Sequence, residues 1–329
     1  MSPDLNLIEH YLDHIQRELN RFQPRPTKAL QLQRAIPQIG ANGNMVIIHR
    51  LLRSMANRCQ AIELFLEFMD NMKNMGVLIK SVQTDSGPLG FEMTCAPCDG
   101  ILTGDNTSRL RNALEVYLKT KGYEISYLSI FSPNTVPLVQ HYNFSLWNSD
   151  GTNAMVPIES AQGPNGLSDM GRHFLNGLCH HGPALTAFAL PTLHCYRSSV
   201  SKVCPSYFDY GCNDRSKCFR LKGNEDNPLF EFRQPSPQAN PYLVFASVVA
   251  AGIDGINRKL EMPDPALPVP GDLPSALSAL KKDHVVMEAM GEELVNAFVY
   301  TKTTHEIEPL MAGGTASDEE MLKREMAFY

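Results

Sequence analysis

The sequence predicts an α+β fold, and three observations lead to this prediction. Segments with the two-residue period of strands and segments with the three- to four-residue period of helices are mixed along the chain. They follow no regular βαβ rhythm, so a doubly wound parallel sheet is not expected. A hydrophobic content of 43% over 329 residues is ample for a packed core, and no internal repeat is visible.

Composition and charge argue against several classes of protein. Lys and Arg number 29 against 35 Asp and Glu, and the net charge of −6 argues against nucleic acid as the main partner. No apolar run approaches the ~18 residues of a membrane helix, and the amino terminus carries no signal-peptide pattern. Eight Cys at irregular spacing do not make a disulfide framework. We therefore expect a cytoplasmic globular protein without a membrane partner.

The first 44 residues are predicted to be a variable helical leader and linker. Apolar residues at three- and four-residue steps predict an amphipathic helix there: Leu5, Ile8, Leu12, Ile15 and Leu19. Prolines then interrupt the chain, and the small polar residues of 40–44 are typical of a linker. The main domain is expected over residues 45–329.

Helices and strands alternate through the next part of the chain. A helix is predicted over 60–75, with an apolar stripe that includes Phe65, Leu66 and Met72. A second helix through Leu114 is expected to end at Gly122. Strands are predicted over 77–83, 91–94, 124–131 and 139–147.

The second half is predicted to be mainly helical. A helix over 174–181 is expected to restart at Pro183, and Cys179-His180-His181 within it is expected to pack inside the fold. Asn240-Pro241 supplies an N-cap and an N1 proline for a buried helix over 242–260. Leu273-Pro274 begins another helix. A further apolar stripe is predicted through Val286, Met290, Leu294 and Phe298.

Polar residues on two of the strand segments are candidates for chemistry. The residues concerned are His141, Asn143, Arg215, Arg220, Glu231 and Arg233. Strand periodicity places His141 and Asn143 on one face, and Glu231 and Arg233 on one face of a second, short strand, with Phe230 and Phe232 on its other face. Arg215 and Arg220 lie just before, on or beside a strand that the polar loop Lys222–Asn227 joins to it. The carboxylate and the imidazole would suit a divalent metal, and the guanidinium groups would suit a phosphoryl group. Solvated or structurally paired side chains are the more frequent outcome for such residues.

An ordered set of motifs resembles the glutamine synthetase family over roughly residues 60–305. The motifs are Gly87–Glu92, His141–Trp147, His181–Thr186, Pro191-Thr192, Asn240–Leu243, Ala250–Gly255, and Leu273-Pro274 followed by Ala279-Leu280 and Asp283. The resemblance implies a catalytic-type domain with an antiparallel sheet flanked by helices. In that family a β-grasp domain precedes the catalytic domain, subunits form rings, and glutamate and ammonia are joined through a γ-glutamyl phosphate made from ATP.

The resemblance also implies roles for individual residues. Glu92 matches a ligand of the first metal, and Asp85 falls near the position of another ligand of that metal, on a shorter arm. His141 and Glu231 match ligands of the second metal. Phosphate or substrate contacts are implied for Arg215, Arg220 and Arg233.

Other positions depart from the family pattern, and we expect the active site to be degraded. Nothing in residues 1–83 matches the family's Glu-x-Glu strand, and no β-grasp domain is recognised. Asn143 replaces the second histidine of a His-x-His pair, Ser198 replaces a substrate arginine, and Val203 falls where the flap glutamate belongs. Each metal site would keep at most two of three protein ligands, so no cofactor is expected. Mg²⁺ or Mn²⁺ and ATP would be required if the chain is active.

Three functions remain open from the sequence. The first is that of a catalytically silent family member, in the manner of a lens-specific relative. It would have a structural or chaperone-like role in a cytoplasmic homo-oligomer that works with intermediate-filament proteins. The second is an ATP-dependent glutamate–ammonia ligase, or a related γ-glutamyl-amine ligase, which leans on the retained metal and arginine positions. The third is a truncated isoform of such an enzyme.

Overall fold

The computed structural model describes residues 63–85, 90–130, 137–157, 166–200 and 205–309. The chain divides into two compact units between Pro97 and Cys98. The predicted leader helix and linker, and the boundary at residue 44, lie outside the described residues, so the domain division stays a prediction.

The described part of the first unit is a helix followed by a hairpin. Residues 63–74 are helical (α1), and β1 (Ile79–Thr84) pairs antiparallel with β2 (Phe91–Cys95). These positions agree with the predicted helix and strands. The buried stripe of α1 runs through Phe65, Phe68 and Met72, whereas Leu66 is 54% exposed. Phe65 and Met72 of the predicted stripe are therefore buried as predicted, whereas Leu66 is not, and Phe68 is buried in its place.

The second unit contains most of the described elements. They are α2 (Leu102–Thr120), β3 (Tyr142–Phe144), α3 (Asp169–Ala189), a 3-10 helix (Leu193–Val200), β4 (Tyr210–Cys212), β5 (Phe219–Lys222), β6 (Leu229–Phe232), α4 (Pro241–Arg258), α5 (Leu273–Lys282), α6 (His284–Met290) and α7 (Glu292–Lys302), which continues as a π-helical turn (Thr303–Ile307). No described helix is long and apolar enough to cross a bilayer.

The sheet of the second unit has the strand order β3-β6-β5-β4. β6 pairs antiparallel with both β3 and β5, as expected, while β4 joins β5 in parallel. Phe230 and Phe232 on β6 are fully buried, and the Phe219 ring on β5 stacks 5.0 Å from that of Phe232. Since side chains alternate along a strand, Glu231 and Arg220 lie on the opposite face. One face of the sheet thus belongs to the core, and the other carries polar groups.

Helices α3 and α4 cover the apolar face. The Phe174 ring of α3 lies 5.9 Å from that of Phe230, and the Phe245 ring of α4 lies 4.8 Å from that of Tyr142. Glycine lets the two helices approach closely, because a Cβ on Gly177 would overlap the Ala251 carbonyl oxygen. The mixed helices and sheet confirm the predicted α+β class.

Capping side chains begin the helices where the sequence predicts them. Asn240 Oδ1 accepts hydrogen bonds from the first amides of α4, and Asp272 does so for α5. The predicted restart at Pro183 is wrong, because α3 is one continuous helix with that proline inside. Almost every residue of α3 from Phe174 onward is buried. We attribute the tolerance of the proline, normally a loss of ~3 kcal/mol, to that packing.

Three other predicted elements differ from the structure. Residues 124–130, the described part of one predicted strand, form no strand. The Leu138 amide donates a hydrogen bond to Ser129 O, but no ladder of such bonds is described there. The predicted strand 139–147 is shortened to β3, with one isolated bridge at Trp147. The predicted stripe through 286–298 is split at Gly291 (φ +86°) into α6 and α7. Val295 is buried there instead of Leu294, which is 45% exposed.

Candidate functional site

Three of the four strands bring polar residues into one row across the sheet. The register pairs Asn143 on β3 with Glu231 on β6, Glu231 with Arg220 on β5, and Arg220 with Gly211 on β4. Cross-strand partners of this kind lie on the same face. Glu231, the only carboxylate in this row, is 5% exposed. The buried carboxylate therefore lies in the middle of the polar face.

Cationic side chains surround the Glu231 carboxylate. Oε2 accepts hydrogen bonds from Arg233 Nη1 at 2.9 Å and from Arg220 Nη1 at 3.5 Å. Oε1 accepts a hydrogen bond from Lys222 Nζ at 3.1 Å and lies 3.6 Å from His141 Nδ1. We call these five residues the sheet cluster. Both carboxylate oxygens are thus engaged by side chains of the chain itself.

The surroundings of Glu231 favour its charged form. Burial alone would raise the pKa of the carboxyl, but the hydrogen bond from Arg233 and the charges of His141 and Lys222 lower the pKa from 4.5 to about 2. The carboxylate is therefore ionised near neutral pH. Since it faces three cationic side chains, the cluster keeps an excess of positive charge.

The structure brings together four of the seven predicted site residues. His141, Arg220, Glu231 and Arg233 meet in the sheet cluster. Arg215 does not join them, since it lies in the turn between β4 and β5, is exposed, and makes none of the described ion pairs of Glu231. Lys222 was missed because it begins the polar tract 222–227, which is typical of a loop. The period of two that places Arg220 on the polar face also places Lys222 there.

The predicted first-metal residues lie in the hairpin of the first unit. Glu92 on β2 is exposed and opposes Gln83, whose Nε2 donates to Glu92 Oε2 at 3.1 Å. Asp85 follows β1, is half-buried, and donates its backbone amide to Gly90 O at 2.9 Å. The register puts Asp85 and Glu92 on the same face of the hairpin. These two carboxylates are what the hairpin offers to a cation.

The second metal site implied by the resemblance does not fit the side chains present. Within the described ranges, no group of three or more His, Cys, Asp or Glu is arranged to hold a metal ion. At Glu231 Oε1, the place of a metal is taken by the ammonium of Lys222. A divalent ion about 4 Å from that ammonium would be repelled by about 8 kcal/mol at an effective dielectric constant of ~20. Metal binding at Glu231 and the Lys222 pair therefore exclude each other.

A second group of charged residues connects three helices. His181 on α3 lies 3.0 Å through Nε2 from Asp254 Oδ2 on α4, and 2.7 Å through Nδ1 from Asp283 Oδ2. Asp283 also caps α6, since Oδ1 accepts from the Val286 amide. We call His181, Asp254 and Asp283 the helix cluster. Burial alone would lower the pKa of His181, but the bonds to Asp283 and Asp254 raise it above 6.5.

The prediction that Cys179-His180-His181 packs inside the fold is confirmed for Cys179 and His181 and is wrong for His180, which is exposed. Arg258 Nη1 donates to Asp254 Oδ2 at 3.1 Å, so the two carboxylates are matched by two cations when His181 is protonated. Glu306, near the end of the described chain, is also structural. Its carboxylate accepts from the Leu193 amide at 2.7 Å and from Lys302 Nζ at 2.9 Å.

Comparison with known proteins identifies the class to which this fold and its motifs belong. The sequence model of the glutamine synthetase catalytic domain matches residues 8–321. The chain therefore belongs to the glutamine synthetase family. This agrees with the family resemblance and with the predicted fold class.

Individual relatives are similar over most of this chain. A glutamine synthetase of Frankia alni is 32% identical over 260 residues, which is 71% of this chain and 54% of the relative. A glutamine synthetase of Thermotoga maritima is 28% identical over 247 residues, which is 69% of this chain and 55% of the relative. The chain thus spans about half the length of these relatives.

A solved structure supports the fold. The structure described as a GmaS/ADP complex aligns with a TM-score of 0.70 at 24% sequence identity, over 80% of this chain and 63% of that one. At this level of identity the likeness concerns the fold alone.

Proposed function

We propose that this chain is a member of the glutamine synthetase family that keeps the catalytic-domain scaffold without metal-dependent ligation. The observation that carries the proposal is the state of Glu231. Its two oxygens are engaged by Arg220, Lys222 and Arg233, and His141 lies beside them. Phosphoryl transfer in such a site needs divalent cations to offset the developing charge. The Lys222 ammonium carries a single positive charge and acts only as a hydrogen-bond donor, so it would offset less of that charge than a divalent ion.

The biological role that fits this proposal is structural. We propose a lengsin-like role, in which the retained scaffold serves a cytoplasmic homo-oligomer in contact with intermediate-filament proteins. The preserved helical layer around His181 supports the retention of a folded scaffold, since its charged groups are paired. Co-sedimentation of the purified chain with assembled intermediate filaments tests the contact. Recovery of the chain in the supernatant at all filament concentrations would contradict it.

A turnover assay tests the absence of ligation. Purified full-length chain is incubated with ATP, glutamate, ammonia and Mg²⁺ or Mn²⁺, and phosphate release is measured beside the Thermotoga maritima relative as a positive control. We expect no release above the rate without glutamate. Release that depends on both glutamate and ammonia would overturn the proposal.

The second candidate is an ATP-dependent glutamate–ammonia ligase or a related γ-glutamyl-amine ligase. The observation that favours it is that His141, Arg220, Glu231 and Arg233 meet on one face, as the family resemblance implies. If the assay detects activity, Glu231→Ala should abolish it. Activity that survives this substitution would exclude a ligase that works through the sheet cluster.

A further inference from the structure

We propose that the ammonium of Lys222 takes the place of the second divalent cation implied for the family, and that the sheet cluster binds a phosphate-type oxyanion without a metal. The inference goes beyond the proposed function, because a metal-independent anion site is compatible with a silent protein and with an altered enzyme. It follows from the misfit between the side chains present and the implied metal.

The first support is the position of Lys222 Nζ. It lies 3.1 Å from Glu231 Oε1 and 3.4 Å from Asn143 Oδ1, so two oxygen acceptors from neighbouring strands hold one ammonium. A carboxylate oxygen and an amide oxygen are also the kind of donors that a hard cation uses. The cation that Glu231 and Asn143 bind is thus a side chain of the protein itself, the ammonium of Lys222.

The second support is the charge that remains. Arg220, Lys222 and Arg233 carry three positive charges against one carboxylate, and each contacts that carboxylate within 3.5 Å. A cluster of this composition attracts an anion and repels a second cation. Guanidinium groups in particular are suited to the planar, bidentate recognition of phosphate oxygens.

The third support is a set of unused donors. The Nε atoms of Arg220 and Arg233 are buried and have no hydrogen-bond partner among the described residues, and Arg233 as a whole is only 7% exposed. Buried donors of this kind are rarely left unsatisfied. An oxyanion supplies the acceptors that these two N–H groups lack.

The cluster is open to solvent at one edge. The side chain of Lys222 is 32% exposed and that of His141 is 27% exposed, whereas those of Glu231 and Arg233 are below 10%. A small anion therefore has access beside Lys222 and His141 while the carboxylate stays shielded. Inorganic phosphate is the simplest probe of that size and charge.

Manganese binding tests the exclusion of the metal. Mn²⁺ is titrated into the full chain and free Mn²⁺ is followed by electron paramagnetic resonance, for wild type, Lys222→Ala, His141→Ala, Lys217→Ala and the double variant Lys222→Ala/His141→Ala. Lys217 is the matched control, since its side chain is 33% exposed and its Nζ lies 2.7 Å from Asp209 Oδ2. It takes no part in the described ion pairs of Glu231. The hairpin carboxylates Asp85 and Glu92 are common to all variants.

We expect Lys222→Ala to bind Mn²⁺ at least tenfold more tightly than wild type and Lys217→Ala do. The double variant should lose this gain in affinity. Equal Mn²⁺ binding by wild type and Lys222→Ala would overturn the proposal. So would a loss of Mn²⁺ affinity on His141→Ala in the wild-type background, because a metal would then already be held at this place.

Phosphate binding tests the second half of the proposal. Inorganic phosphate is titrated calorimetrically in the presence of excess EDTA, with thermal unfolding of each variant as the check of folding. We expect wild type, Lys217→Ala and Lys222→Arg to bind, and Lys222→Ala to bind about tenfold more weakly. Phosphate binding that appears only after Mn²⁺ is added, or that is unchanged in Lys222→Ala, would overturn the metal-independent site.

These results are separable from the proposed function. Turnover of ATP and glutamate by a chain that holds no Mn²⁺ at Glu231 would overturn the silent-protein proposal alone. A Mn²⁺ site at Glu231 in a chain without turnover would overturn the Lys222 inference alone.

Discussion

The helix cluster and the sheet cluster are both buried groups of charged residues, but they differ in balance. In the helix cluster both ring nitrogens of His181 face carboxylates, and Arg258 adds a second cation to Asp254. In the sheet cluster three cationic side chains share the single carboxylate of Glu231. The first group is balanced internally, whereas the second has charge and donors to spare.

The difference separates structural from binding roles. A balanced group that joins α3, α4 and α6 stabilises the packing of those helices and offers nothing to a ligand. An unbalanced group open at Lys222 costs stability unless an anion completes it. We therefore assign the helix cluster to the packing of the helices, and the proposed anion site to the sheet cluster.

The largest effect is expected from His181→Ala. The substitution leaves Asp254 and Asp283 facing each other in a buried place, and breaking such a group costs about 3–5 kcal/mol of unfolding free energy. Urea unfolding measures it. The control is His180→Ala next to it, which removes one exposed bond to Glu261 O and should cost about 1 kcal/mol or less. Equal costs at the two positions would contradict a structural helix cluster.

A smaller loss is expected from Glu231→Gln. The amide oxygen still accepts from Arg233, but the charge that balances a 7% exposed guanidinium is lost, which should cost about 2–3 kcal/mol. Glu225→Gln, in the exposed loop after β5, is the control and should lie within about 0.5 kcal/mol of wild type. A Glu231→Gln variant as stable as Glu225→Gln would show that an excess of positive charge does not destabilise the sheet.

The two clusters should respond to opposite ends of the pH range. The pKa of His181 is raised above 6.5, so its stabilising contribution is complete below pH 6.5 and is lost as pH rises through the folded value. The pKa of Glu231 is lowered from 4.5 to about 2, so its contribution is complete above pH 4.5 and is lost as pH falls towards 2. The two contributions are measured from the unfolding free energies of wild type, His181→Ala and Glu231→Gln between about pH 3 and about pH 9. Parallel curves for all three proteins would contradict the assignment.

A further effect divides the two roles of Asp283. Asp283→Asn keeps an oxygen for the Val286 amide and removes the charge that faces His181, whereas Asp283→Ala removes both. The difference between the two variants is therefore the worth of the N-cap, about 1 kcal/mol. Thermal unfolding of both variants measures it, and identical midpoints would mean that the cap contributes nothing to α6.

The smallest effect is expected from Lys222→Ala. The Lys222 pair is about one-third exposed and leaves Arg220 and Arg233 on the carboxylate, so its loss should change the unfolding free energy by less than about 1 kcal/mol. Lys217→Ala, with a similar exposure, should behave alike. A loss of unfolding free energy above about 3 kcal/mol, which is typical of a broken buried ion pair, would make Lys222 a structural residue instead of an occupant of the metal position.

The sequence allowed prediction of what depends on local periodicity and on motif order. The alternation in β6 placed Glu231 and Arg233 on one face and the phenylalanines on the other, as observed. Contacts between elements that are far apart in the chain could not be predicted from local periodicity. The bonds of His181 to Asp254 and Asp283 span 73 and 102 residues and depend on how three helices pack.

Lys222 shows a different limit. It ends β5 and begins a polar tract, so its strand character is hidden by the loop residues that follow it. Its role becomes visible only when β5 pairs with β6 and brings Nζ to Glu231. Pro183 is the reverse case, since a strong local signal for a break is overridden by burial of α3.

A manganese-edge anomalous map of wild-type crystals soaked in Mn²⁺ and phosphate tests whether the sheet cluster holds an anion without a metal. We expect phosphate density beside Arg220 and Arg233, Lys222 Nζ on Glu231 Oε1, and no manganese peak at that carboxylate. A manganese peak about 2.2 Å from Glu231 Oε1, with Lys222 turned away, would contradict this expectation.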